Sequence, residues 1–76
     1  MSNYRKTGSI DSFNEIPWDK PVIVSGGIGN NAWMWRMPGT FERNDGEPRF
    51  RDEYGMSKYI DKNTRISLNV LEVDNG

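Results

Sequence analysis

The stretch whose residue types and spacing come nearest to a known chemistry is Val22-Ile23-Val24-Ser25-Gly26-Gly27-Ile28-Gly29-Asn30-Asn31-Ala32. A β-branched run followed by small residues at Gly27, Gly29 and Ala32 matches the turn that lets backbone approach the pyrophosphate of a dinucleotide. That chemistry also needs a helix whose N-terminus holds the pyrophosphate, and then a second parallel strand ending in an acid. Trp33 to Met37 runs straight into Pro38-Gly39, which leaves no room for the helix. The glycines therefore read as a hairpin loop, and no cofactor is expected.

Catalysis and metal binding have little to work with. The chain has no His and no Cys, which removes the common general base, the thiol nucleophile and the usual transition-metal ligands. Asp52-Glu53 and the Asp45/Glu47 pair could in principle divide acid and base roles. Adjacent acids on a strand point to opposite faces, however, and Arg43, Arg49 and Arg51 are at hand to neutralise them. A calcium loop over Phe41 to Asp52 fails because Gly46 at its sixth position puts Phe41 and Arg43 where oxygen ligands belong. No catalytic residue and no metal site is expected, and the chain reads as a non-enzyme.

Recognition remains. Trp35-Arg36, Phe41 with Arg43, Arg49-Phe50-Arg51, Tyr54 and Lys58-Tyr59 interleave rings with cations, as single-strand nucleic-acid binders do on small barrels. Six acids fall in the same span as seven bases between Arg36 and Arg65, so a salt-bridged exterior is the stronger reading there. Trp, Tyr, Met and Arg are also the types enriched at protein interfaces. Trp33 and Trp35 stand at i and i+2, hence on one face of a strand and not of a helix. Arg36 marks Ala32-Met34-Arg36 as the wetter face, so Trp33-Trp35-Met37 is expected to be mostly buried. The expected partner contacts are Met34, Arg36, Arg49, Arg51, Tyr54 and Tyr59, with Trp33 and Trp35 as the fallback.

The elements that would position these residues are short. Residues 1–14 are polar and aperiodic and read as a mobile arm; 15–73 read as one β-rich domain, and 74–76 as a tail. Ile16-Pro17-Trp18-Asp19-Lys20-Pro21 brings the chain into the fold with Trp18 as a lid on the core. Val22-Ile23-Val24 reads as a strand covered on both faces. Ala32 to Met37 returns as the second arm of a hairpin and ends at Pro38-Gly39. Asp45-Gly46 then centres a two-residue hairpin turn. That turn sets Phe41 opposite Phe50, Glu42 opposite Arg49 and Thr40 opposite Arg51, an aromatic pair and an ion pair in one register. Pro48 falls opposite Arg43 with its missing N–H turned outward, a position for an edge. Met56, Tyr59 and Ile60 have the spacing of a single helical turn. Thr64 to Val73 is the last strand, with Ile66, Leu68 and Val70 inward and a change of phase at Leu71 and Val73 that predicts a bulge or burial of both faces.

The whole predicts an all-β fold, or a mainly β fold with one short helical turn. It would be a small antiparallel barrel or strongly bent sheet of about five strands. A strand, a polar loop, the Trp-rich strand Ala32-Trp33-Met34-Trp35-Arg36, a hairpin, and Ser57-Lys58-Tyr59-Ile60 before a final strand resemble the second half of the SH3-like barrels. The resemblance implies an architecture and no function.

Composition sets the class. Seventy-six residues can bury only about 60% of their unfolded surface, so stability is thin. Without cysteine no disulfide supports the core, which suits a reducing compartment. A net charge of −1 weakens the case for duplex DNA, and no run of about 20 apolar residues offers a membrane span. Residues 1–13 lack the apolar stretch of a secretory signal. The expectation is a small cytoplasmic interaction module that binds, and can inhibit, another protein, in the general character of phage or mobile-element products acting in a host cytoplasm. A single-stranded nucleic-acid binder is the alternative, and a subunit of a larger assembly such as a virion is third.

Overall fold

The computed structural model describes residues 3–44 and 47–74; at 31–35 and at 44 it describes the backbone alone. Six strands form one antiparallel sheet: β1 (Asn3–Ile10), β2 (Pro21–Ile28), β3 (Asn31–Asn44), β4 (Glu47–Asp52), β5 (Ser57–Tyr59) and β6 (Ile66–Asp74). Their order is β1-β6-β2-β3-β4-β5, so the last strand is inserted between the first two. The fold is all-β with one short helical turn, as the patterning predicts. It has six strands instead of about five, and it is an open sheet, with β1 and β5 at its two edges. The likeness to an SH3-like barrel therefore stops short of closure.

The mobile arm is corrected. Asn3–Ile10 is a strand, paired along its length with β6 from Asn3 opposite Asp74 to Ile10 opposite Leu68. Local sequence hides it because only Ile10 of this strand is buried, the rest being half-buried or exposed as befits an edge. The phase change at Leu71 is confirmed as an irregularity, but the extra residue lies on the neighbouring strand, between Lys6 and Gly8, opposite Val70 and Leu71.

One face of the sheet carries the core. Ile10, Val24, Ile28, Phe41, Phe50, Ile60, Ile66 and Leu68 are buried there, and Ile16 from the β1–β2 connection closes over them. That connection holds the helical turn, Phe13–Glu15, and not the Gly55 to Asn63 stretch where spacing suggested one. Met56 is exposed, Ser57–Tyr59 is β5, and only Ile60 points into the core. The spacing misleads because a strand that ends in a buried residue after an exposed turn produces the same i, i+3, i+4 set. Trp18 is the expected lid: its ring meets Phe13 at 5.5 Å and Phe41 edge-on at 6.4 Å, and the Arg43 guanidinium lies 4.2 Å from its centre. The Asp19 N–H fastens the lid by donating to the Phe41 carbonyl at 2.7 Å.

The β3–β4 hairpin has the predicted register, with Thr40 opposite Arg51, Phe41 opposite Phe50, Glu42 opposite Arg49 and Arg43 opposite Pro48. The Phe41 and Phe50 rings lie 4.8 Å apart. The turn itself, Asp45-Gly46, lies outside the described residues. The expected ion pair does not form straight across: Glu42 meets Arg51 on the diagonal, and Arg49 turns to Glu47 on its own strand, each at 3.0 Å. Pro48 does turn its N away from β3, since its carbonyl accepts from Ile60 N–H on the β5 side. It stands where the β4–β5 pairing stops at Arg49 opposite Tyr59, one strand in from the edge.

Pro38-Gly39 does not end a strand; β3 runs through it to Asn44. The Pro38 carbonyl accepts from Glu53 N–H just past the last β3–β4 pair, Gly39 opposite Asp52. In an extended chain N and C=O of one residue point the same way, so the missing N–H falls where β4 turns away and no ladder bond is lost.

Candidate protein-interaction face

Register assigns the second face of the sheet. Residues that alternate with the buried Val24, Phe41, Phe50 and Leu68 must point away from the core. They include Ile23 on β2, Pro38, Thr40 and Glu42 on β3, and Arg49 and Arg51 on β4. Leu71 and Val73 on β6 join them, because Leu71 stands opposite Ile23. No described element lies over this face. Val22-Ile23-Val24 is thus covered on one side only, which corrects the expectation of burial on both: Val24 is buried, while Ile23 is half-buried.

A groove of about 570 Å³ runs across it, with Pro21, Ile23, Pro38, Leu71 and Val73 as an apolar floor. Val73 is 40% exposed. Glu42, Asp52, Glu53 and Glu72 stand along its rim, with Arg51 as the one cation among the lining residues. Three of these acids are held in place. Glu72 pairs with Arg5 of β1. Glu42 Oε1 is buried and accepts no hydrogen bond, its charge being met by Arg51 Nε at 3.0 Å. Asp52 Oδ1 accepts the N–H groups of Tyr54 at 2.9 Å and Met56 at 3.0 Å, which ties the β4–β5 turn. With two of four carboxylates compensated by guanidinium groups, the rim remains negative.

The structure brings together only part of the expected contact set. Arg49, Arg51 and Tyr59 share the open face, Arg49 standing directly opposite Tyr59. Tyr54, 77% exposed, and Met56, 70% exposed, stand in the turn that Asp52 ties. Arg36 is separate: its guanidinium lies 4.3 Å over the Tyr4 ring of β1, so it serves as a brace across strands. The side chains of Met34, Trp33 and Trp35 lie outside the described residues; Met37, expected on the buried face with them, does pack against the core.

The groove floor itself was missed. The one sequence signal for it was the out-of-phase Leu71-Val73, and its partners Ile23 and Pro38 come from strands distant in the chain. Among the described residues no group of three or more acids is placed to hold a metal ion, and no helix is long and apolar enough to cross a membrane. Comparison with family models, with curated proteins and with solved structures finds no match.

Proposed function

We propose that this protein is a non-enzymatic binding module that takes a segment of another protein into the groove on its open sheet face. The observation that supports this reading is the uncovered apolar floor of Ile23, Pro38, Leu71 and Val73 inside a rim of carboxylates. An apolar floor gains by excluding water, and a charged rim selects orientation and partner. The complementary segment presents one large apolar side chain flanked by Lys or Arg. Arg49 extends the contact along β4, and Arg51, with Glu42, forms the polar wall between it and the groove. Occupying a basic segment that the partner needs for its own contacts would inhibit that partner. Glu42, Asp52 and Glu72 are bound up in ion pairs and turn hydrogen bonds, which suits a recognition surface better than an acid-base pair.

Selection from a random peptide display library on the immobilised chain tests this. Enrichment of peptides with an apolar residue between basic ones is expected. Val73→Glu and Glu53→Lys should each reduce capture of those peptides at least ten-fold, because both residues line the groove and neither contributes to the core. No enrichment, or enrichment of acidic peptides that both variants still bind, would overturn the reading.

A further inference from the structure

At the end of the sheet away from the groove, the β2–β3 turn and the β5–β6 connection enclose a second, polar cleft of about 440 Å³. Gly29, Asn30, Lys58, Tyr59, Asn63, Thr64 and Arg65 line it. Its two cations have no visible structural employment. Arg5, Arg49 and Arg51 meet carboxylates, and Arg36 and Arg43 rest on the rings of Tyr4 and Trp18. Arg65, among the described residues, has neither kind of partner. Lys58 is half-buried and likewise meets no described carboxylate. Two neighbouring cations that meet no carboxylate repel one another, so an anion between them would be stabilising.

The walls are preorganised. Gly29 N–H donates to the Arg65 carbonyl at 2.7 Å, which ties the two loops together. Asp61 organises the β5–β6 connection: its Oδ1 accepts from Asn63 N–H at 2.8 Å and from Thr64 Oγ1 at 3.2 Å. Asp61 is the acid of this loop, and it is not among the residues lining the cleft. Gly29 has φ +61, which favours glycine, and its Cα side lies in van der Waals range of Lys58 and Thr64. Tyr59, 60% exposed, follows Lys58 on β5 and also lines the cleft.

We propose that this cleft is a nucleotide-phosphate site, in which Lys58 and Arg65 hold the phosphate, the amides of Asn30 and Asn63 supply further hydrogen bonds, and a base stacks on Tyr59. Guanidinium and ammonium groups are the side chains that bind phosphate most strongly, and an exposed ring beside them is the usual platform for a base. The nucleotide is either free or the unit of a single strand, the two sources sharing the same chemistry. The site lies apart from the peptide groove: Ile23 on β2 and Gly29 in the β2–β3 turn are separated by roughly 20 Å of extended chain.

The test is a titration of the full chain, followed by amide and tyrosine-ring chemical shifts, with inorganic phosphate, adenosine monophosphate and an oligothymidylate in parallel. All three should shift Gly29, Asn30, Thr64 and Arg65 saturably, and the two nucleotide probes should also shift the Tyr59 ring and bind more tightly than phosphate. Lys58→Gln with Arg65→Gln should weaken nucleotide binding at least ten-fold, and Tyr59→Leu should reduce the nucleotide to the affinity of phosphate. Tighter binding of the oligonucleotide, with a salt slope lower by about one for each cation removed, identifies a strand as the source; equal binding identifies a free nucleotide. Absence of cleft shifts in the wild type with every probe overturns the proposal, as does undiminished binding in the folded double variant. Should that variant not fold, the wild-type map decides, since shifts centred anywhere but the cleft also overturn it.

Discussion

Gly26 is the residue on which the centre of the sheet most depends. Its φ of +126 suits only glycine, and a Cβ there would collide with the Ser67 carbonyl oxygen of β6. Gly26→Ala should therefore destabilise by about 2 kcal/mol or more, combining strain with separation of the β2–β6 pair, and urea unfolding would measure it. Phe41, fully buried between Trp18 and Phe50, is the largest side chain of the core with no exposure. Phe41→Ala should cost about 3–5 kcal/mol, enough to leave a domain of this size largely unfolded. The exposed Arg5–Glu72 pair is the contrast: Arg5→Gln should change stability by less than about 1 kcal/mol in the same measurement, and the difference should vanish in high salt.

Among the elements, β1 is the one whose status the structure changes most. It supplies Ile10 to the core and covers the outer edge of β6 from Leu68 to Asp74. Removing residues 1–10 should abolish cooperative thermal unfolding and promote association, because a strand with apolar residues on both faces would become an unprotected edge. A dispensable arm would leave the midpoint unchanged. Its legibility in sequence was poor for a physical reason: an edge strand needs few apolar residues, and Lys6 with Arg5 on it reads locally as solvated chain. The β3–β4 hairpin was legible for the opposite reason, since register there follows from a short turn and adjacent residues.

For the molecule as a whole, the groove and the polar cleft lie toward opposite ends of the same strands, in a body of about 39 × 21 × 19 Å. Variants at the two ends should therefore act independently. Val73→Glu should remove peptide capture while leaving phosphate-induced shifts at Gly29 and Arg65 in place, and Lys58→Gln with Arg65→Gln should do the reverse. Parallel titrations of both variants with both probes would check this, and loss of both activities in either folded variant would show that the ends are coupled.

The sequence by itself determined what local chemistry controls. It set the β class, the pairing of Phe41 with Phe50, the inward alternation of Ile66, Leu68 and Val70, the lid role of Trp18, and the absence of thiol and imidazole chemistry. Each follows from side-chain period, turn type or residue identity within a few positions. Tertiary structure alone decided that β6 is inserted between β1 and β2, that Ile23 meets Leu71, and that Lys58 and Arg65 face the Gly29 turn. These depend on pairing between segments some 30 to 70 residues apart. Such pairing is chosen by how the entire apolar surface can be buried at once, which no local pattern encodes.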